Sequence, residues 1–334
     1  MKHALILAPF GDDGLTTLRK HVRVTYESWL DSRELQDPEV LGRRLHVEGV
    51  NFLVVEGDFV FAEIMDEASA LELIGVCRNG LNHVDVDAAT ERGILVVNVP
   101  GRNVIAVAEL TLGVMLALAR RIPHADAYVK AGRWEDPVSG YLEFRGGELH
   151  GKQAGIVGLG AIGRLSAERL RALGMTVVAH DPYLSPEIAA SLGVETADLK
   201  EVLARSDYVL LHVPADESTI GMIAKAELVS MKPTACLINT SAPGVVAEVD
   251  LIEALASGVI AGAALDVFEG QPLPESSPLR RMDNVVLTPH IGGSTRETIV
   301  RQSAMIVEDI GRALRGQRPV RLVNPDAWVT RRGS

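Results

Sequence analysis

The sequence predicts an α/β protein of two doubly wound, Rossmann-like parallel-sheet domains. Three observations carry this. The chain has 334 residues, enough for about two domains at roughly 100–200 residues each. Short apolar runs alternate with helix-like stretches along almost its whole length, the pattern that builds a sheet with helices on its faces. The runs are near-continuous Val, Ile, Leu and Ala, as strands buried on both sides of a parallel sheet require.

Taken in order, strands are expected at residues 3–8, 51–55, 71–77 and 94–97, then at 155–157, 176–181, 208–213, 235–240, 260–267 and 284–287. Helix-like segments are expected between them, such as 162–173, 198–204 and 249–256. Residues 103–121 form a long helical stretch with little polar surface. A helix apolar nearly all round is buried in a core or against another subunit, and a homodimer contact through region 103–150 is expected. The last long helix spans 294–314, with Ser294 as N-cap and Glu297 three residues on.

Composition narrows the function. Lys and Arg number 33 against 44 Asp and Glu, a net charge of −11. Such a surface repels phosphate backbones and anionic lipids, so neither a nucleic acid nor a membrane is expected as partner. The 4% aromatic content gives little for base stacking. Cys77 and Cys236 stand far apart with no C-x-x-C and no Cys/His cluster, so no metal site is expected. Two thiols in apolar runs suit a reducing compartment. The apolar stretch after Met1 is too short for a signal peptide, and a cytoplasmic protein is expected.

One motif carries chemistry. The expected strand at 155–157 runs into Gly158-Leu159-Gly160-Ala161-Ile162-Gly163 and then a helix. In such a G-x-G-x-x-G turn the first glycine allows a tight bend. The second lets backbone approach a pyrophosphate, and the third lets the helix pack against the strand. The helix start at Ala161 and Ile162 offers free N–H groups to phosphates. The next strand ends at Asp181, 18 residues after Gly163. An acidic side chain there accepts hydrogen bonds from ribose hydroxyls and repels a 2′-phosphate, which points to NAD rather than NADP. The turn begins near mid-chain, so the cofactor domain is expected as an insertion: residues 103–293 bind NAD, and 1–102 with 294–334 form an outer, substrate-binding domain.

These motifs, with others in order, resemble the D-isomer-specific 2-hydroxyacid dehydrogenases over essentially the whole chain. The resemblance runs through 149–152, Asp181-Pro182, 206–214 with Thr219, 238–240, 262–268 and 287–294. On the substrate side it covers 75–85, 97–103 and 107–109. It implies two α/β domains with an interdomain cleft, a dimer, and hydride transfer between a small hydroxy or oxo acid and NAD(H). It also implies cofactor contacts at Pro182, His212, Val213, Pro214, Thr219, Thr240, Ser241, Asp266, His290 and Gly293, and substrate contacts at Arg78, Asn79, Gly80 and Asn103. Asn103 reads equally as a helix N-cap.

The family's catalytic trio is a histidine that exchanges the substrate proton, a glutamate that supports it and an arginine that clamps the substrate carboxylate. His290, in Thr-Pro-His, matches the histidine. The glutamate position is Gln271 and the arginine position is Ala242. A neutral glutamine stabilises imidazolium far less than a glutamate does, and alanine replaces no guanidinium. Arg78, Arg102 and Arg145 are the candidate replacement cations. The formate dehydrogenases, a related branch, also carry glutamine before this proline, but they keep the arginine. Two readings therefore stand beside an NAD-dependent dehydrogenase: an NAD-binding sensor or scaffold without turnover, and a protein holding NAD as a prosthetic group.

Overall fold

The computed structural model describes residues 1–333. They divide into two compact units: Met1–Arg102 with the segment from Thr295 onward, and Asn103–Ser294. The first unit runs β1 (His3–Ile6), α1 (Asp12–Arg19), β2 (Arg23–Tyr26), α2 (Trp29–Ser32), α3 (Pro38–Val47), β3 (Phe52–Val55), α4 (Ala62–Glu67), β4 (Leu73–Val76), α5 (Val86–Glu91) and β5 (Leu95–Asn98). The second opens with α6 (Val104–Ala119), α7 (Ile122–Lys130) and α8 (Pro137–Glu143). It continues through β6 (Gln153–Val157), α9 (Ala161–Ala172), β7 (Thr176–His180), α10 (Pro186–Ser191), β8 (Glu195–Thr196), α11 (Leu199–Arg205) and β9 (Tyr208–Leu211). It closes with α12 (Lys225–Ser230), β10 (Cys236–Asn239), α13 (Glu248–Ala256), β11 (Gly262–Leu265) and β12 (Val285–Leu287). The chain then returns to the first unit with α14 (Arg296–Leu314) and α15 (Ala327–Thr330).

Each unit holds a wholly parallel sheet. The first has five strands in the order β2-β1-β3-β4-β5, the second seven in the order β12-β11-β10-β9-β6-β7-β8. The strands β1, β3, β4, β9 and β11 are buried at every position, which is why they read as unbroken apolar runs. Two strands were not expected, β2 and β8. Both are sheet edges of mostly exposed or half-buried residues, so no apolar run marks them.

The helices differ from expectation in three places. The long apolar stretch stops at Ala119, because Arg121 turns left-handed at φ 52° and α7 starts beyond it. Helices α1 to α5, α7, α8, α10, α12 and α15 lie outside the helical stretches named from the sequence. The N-cap of α14 is Thr295, not Ser294: the Thr295 hydroxyl accepts from the Thr298 amide at 3.1 Å, and a hydroxyl one residue earlier is out of register with that turn. Among the described residues no helix is long and apolar enough to cross a membrane, and no group of three or more His, Cys, Asp and Glu is placed to hold a metal ion.

The returning tail is stitched to β5. Asn324, only 5% exposed, accepts from Val96 N at 2.8 Å and donates to Ile94 O at 2.9 Å and Thr90 Oγ1 at 3.0 Å. Truncating it strands a buried N–H and a buried C=O. Asn324→Ala is expected to cost about 2–3 kcal/mol, read as a lower denaturation midpoint by circular dichroism.

Candidate active site

In open parallel sheets a ligand site forms past the carboxyl ends of the strands where the strand order reverses. In the second unit that place lies between β6 and β9, since the chain builds outward from β6 to β8 and then returns to β9. The glycine turn follows β6, and His212, Val213 and Pro214 follow β9. Each glycine has a measurable reason. Gly158 sits at φ +92°, and a Cβ there would lie 2.6 Å from His212 O. A Cβ on Gly163 would lie 2.2 Å from Gly158 O, so only glycine lets α9 approach β6 this closely. A Cβ on Gly160 would meet nothing within 4 Å: that glycine borders open space. Gly160 is also the N-cap of α9 and provides no side-chain cap, which leaves the N–H groups at Ala161 and Ile162 pointing toward that space. These residues fit the pyrophosphate of a dinucleotide.

Asp181 lies just past β7, half-buried. Its Oδ2 accepts from Leu159 N at 2.8 Å and its Oδ1 from Tyr183 N at 3.0 Å. The carboxylate is thus tied to the glycine turn itself, and the neighbouring Pro182 is exposed. His212 packs beneath the same turn. Its Nε2 meets Ser166 Oγ at 3.0 Å, and its Nδ1 is buried without a partner. Burial alone pushes its pKa down to about 4, so the ring is neutral at neutral pH.

The hydroxyls expected near the cofactor are largely engaged by the fold. Thr219 donates to Pro214 O at 2.6 Å and accepts from Asp216 N at 2.9 Å, closing the loop after β9. Thr240 Oγ1 lies 2.7 Å from Thr111 Oγ1 of α6. Ser241 donates to Asn239 Oδ1 at 2.9 Å. Thr111 and Asn239 were missed by sequence reasoning. A threonine inside an otherwise apolar helix was the available signal for the first.

Asp266, 1% exposed, follows β11. Its Oδ1 accepts from Thr288 Oγ1 at 2.6 Å and Ile291 N at 2.8 Å, and its Oδ2 from Gly292 N at 2.8 Å. These bonds wrap the loop after β12 around one carboxylate and present His290 at φ 55°. His290 Nδ1 lies 2.8 Å from Gln271 Oε1, while Gln271 Nε2 donates to Phe268 O at 3.2 Å. The second bond sets the amide orientation. Nδ1–H therefore donates to Gln271, and Nε2 is the ring nitrogen left for a reacting group. His290 is exposed. Asn103 stands at the N-cap of α6 without capping it; its Nδ2 lies 3.1 Å from where a Cβ on Gly293 would be.

Ala242, at the expected arginine position, packs half-buried against the apolar cluster that includes Val245, Val246 and Phe268. Of the three candidate cations, Arg102 is already taken. It donates to Glu56 at 2.6 Å and also bonds Gln302. Arg145 stacks over Tyr141 at 5.3 Å. Arg78 is exposed beside exposed Asn79 and Gly80, and among the described residues its guanidinium has no partner. Its carbonyl and that of Asn79 are held by Val99 N at 3.2 Å and Asn98 Nδ2 at 2.9 Å.

Residues 112–292 match the family described as D-isomer specific 2-hydroxyacid dehydrogenase, NAD binding domain. The chain belongs to that family. The glyoxylate reductase of Thermococcus litoralis is 38% identical over 321 residues, covering 96% of each chain. The D-3-phosphoglycerate dehydrogenase of Methanocaldococcus jannaschii is 38% identical over 326 residues, which are 97% of this chain and 60% of that protein. Against the same-named protein of Archaeoglobus fulgidus, the match is 45% over 49% of its length; the chain thus spans about half to three-fifths of these two relatives. The structure of the TT0316 protein from Thermus thermophilus superposes with a TM-score of 0.85 at 35% identity, covering 97% and 100% of the two chains.

The neutral, half-buried His212 makes stability pH-dependent in a definite direction. Its folded pKa of about 4 lies below the usual 6.5, so the unfolded chain binds the extra proton and acid favours unfolding. Stability from this group is intact above pH 6.5 and drains away as pH falls toward 4, by about 3 kcal/mol at about 1.4 kcal/mol per pH unit. Equilibrium denaturation between pH 7 and 4 should show this slope, flattened in His212→Gln.

Proposed function

We propose that the chain is an NAD-dependent oxidoreductase acting on a small hydroxy or oxo acid, with His290 as acid/base. The observation that supports it most is the His290–Gln271 hydrogen bond beside a loop held by Asp266. Bound NAD would supply the hydride acceptor. The turn from Gly158 to Gly163, with Ala161 and Ile162 N–H groups, would hold its pyrophosphate. Asp181 would take the adenosine ribose, and His212, Val213, Pro214, Thr219, Thr240, Ser241, Asp266 and Gly293 would line its path. In the oxidation direction the lone pair on His290 Nε2 takes the substrate hydroxyl proton; in reduction the protonated ring returns it. Gln271 fixes the ring by accepting from Nδ1–H, which leaves Nε2 toward the reacting group. Arg78, Asn79, Gly80 and Asn103 would contact the substrate, Arg78 supplying the cation that Ala242 lacks. The relatives' names, glyoxylate reductase and D-3-phosphoglycerate dehydrogenase, agree with a short hydroxy or oxo acid.

A second reading is favoured by one observation. Ala242 offers no charge to a carboxylate and packs into the apolar cluster, as in a member of the family that keeps NAD binding and has lost turnover. Two assays separate the readings. NAD should raise the melting temperature of the purified chain more than NADP does. A panel of hydroxy and oxo acids followed by nicotinamide absorbance should then show turnover that falls about 10²–10⁴-fold in His290→Asn, with the NAD shift retained. NAD stabilisation without turnover on any panel member would select the second reading, and no stabilisation would reject both.

We further propose a homodimer through region 103–150 and a cytoplasmic setting. Leu116, Ile122, Trp134, Tyr141 and Leu142 are large apolar side chains exposed on α6, α7, α8 and, for Trp134, the connection between α7 and α8, and exposed apolar side chains of this kind mark interfaces. Two free, unpaired thiols suit a reducing compartment. Sedimentation should give a dimer for the wild type and a monomer for Trp134→Ser/Leu142→Asp.

A further inference from the structure

The strands of the first unit run parallel, so their amino ends share one end of the sheet, and the loop after β4 with Arg78 lies at the other. At the amino end, His3 of β1 and Arg23 of β2 are register partners. A cleft of about 650 Å³ opens there, its lining including His3, Arg19, Val22, Arg23, Val24 and Glu48. That volume is in the range of small-molecule sites. The run Arg19-Lys20-His21-Val22-Arg23 places three fixed positive charges within five residues, in a chain whose net charge is −11.

A buried histidine holds Arg23 in the wall of this cleft. His3 is 2% exposed. Arg23 Nη2 donates to His3 Nδ1 at 2.7 Å and to Glu48 O at 3.2 Å. A guanidinium can only donate, so Nδ1 accepts, and His3 Nε2–H donates to Thr25 Oγ1 at 2.8 Å. One nitrogen of Arg23 is thereby fixed, while Nε and Nη1 have no partner among the described residues. Arg19, exposed in the last turn of α1, has no side-chain partner among them either. The acids at this end of the sheet are committed: Glu48 Oε1 accepts from Arg44 Nε at 2.7 Å, and Glu72 pairs with Lys2. Arg19 can be ascribed to the carbonyl groups that end α1. Arg23 lies beyond that helix and pairs with no carboxylate among the described residues.

We propose that this cleft binds a small phosphate ester carrying hydroxyl groups, with Arg19 and Arg23 taking the phosphate. Such a phosphate bears nearly two negative charges and three acceptor oxygens. Two guanidiniums supply the matching charge and donors. Glu48 shares the lining, and its carboxylate accepts from a hydroxyl while repelling a second anionic group. The cleft therefore favours one phosphate on a hydroxylated carbon chain over a polyanion. Half-buried Val24 gives that chain an apolar contact. The site lies at the opposite end of the sheet from Arg78, and it does not depend on the proposed function.

Calorimetry on the full chain at about 0.15 M salt, where weak surface attraction is screened, tests this with glycerol 1-phosphate as the probe. Glycerol 1-phosphate should bind, inorganic phosphate should bind more weakly, and glycerol should not bind. Arg19→Gln and Arg23→Gln should each weaken the ester by about tenfold or more, since each removes a charge-assisted contact. Arg78→Gln should leave its affinity unchanged. Both arginines of the cleft are exposed, so their variants should keep the wild-type denaturation midpoint and the NAD-induced rise in melting temperature. The proposal is overturned if the ester does not bind, if its affinity survives both cleft variants, or if Arg78→Gln abolishes it. Equal affinity for inorganic phosphate and the ester would reduce the cleft to an adventitious ion site and overturn it as well. None of these readouts requires turnover, so an inactive chain that binds the ester through Arg19 and Arg23 would overturn only the dehydrogenase reading.

Discussion

The carboxylate of Asp266 is the constraint on which the candidate site depends. It is buried with no cation paired to it among the described residues, and its oxygens accept from one hydroxyl and two backbone N–H groups, all from the loop after β12. Charge-assisted bonds of this kind are short and directional. Together they bend Thr288 to Gly292 around one point, and the bend leaves His290 in a left-handed conformation that few non-glycine residues adopt. Strain of this sort persists only where the surroundings over-determine it. Asp266 at the end of β11 and Thr288 after β12 are brought together by adjacent parallel strands, so the sheet register also sets the histidine.

A second consequence concerns charge. The chain carries −11, yet the family it belongs to is defined by an NAD binding domain, and NAD is an anion. Attraction to the pyrophosphate must be local, and the structure supplies it as backbone N–H groups at an uncapped helix start rather than as a basic patch. Economy of charge continues at His290, whose orienting partner is an amide, and at position 242, where an alanine packs into the core. Two arginines brace the fold within their own units: Arg102 pairs with Glu56, and Arg164 donates to Leu159 O at 3.0 Å. The Arg78 guanidinium has no partner among the described residues.

Legibility followed burial and periodicity. Strands buried on both faces announced themselves as apolar runs, and the glycine turn was readable because Gly158 and Gly163 answer steric demands that only a missing Cβ meets, while Gly160 borders open space. Strands β2 and β8 were invisible, since edge strands carry the polar residues that also fill loops. The Ser294 cap failed because two adjacent hydroxyl residues compete for one position, and only backbone geometry chose Thr295. At the site, His290 and Gln271 were visible as a pair through their motifs. The engagement of Thr240 by Thr111 was not, since those residues are 129 positions apart.

The sequence by itself determined the α/β class, the dinucleotide turn and the substitutions at positions 242 and 271, because residue type and spacing along one strand–turn–helix suffice for each. Tertiary structure alone decided which polar groups are free. Whether an arginine is a ligand or a brace, and whether a buried histidine has partners, depends on what distant segments bring within 3 Å. Hence Arg102 became a brace, Arg78 remained available, and Asp58 Oδ2 and both His83 ring nitrogens are buried without partners among the described residues.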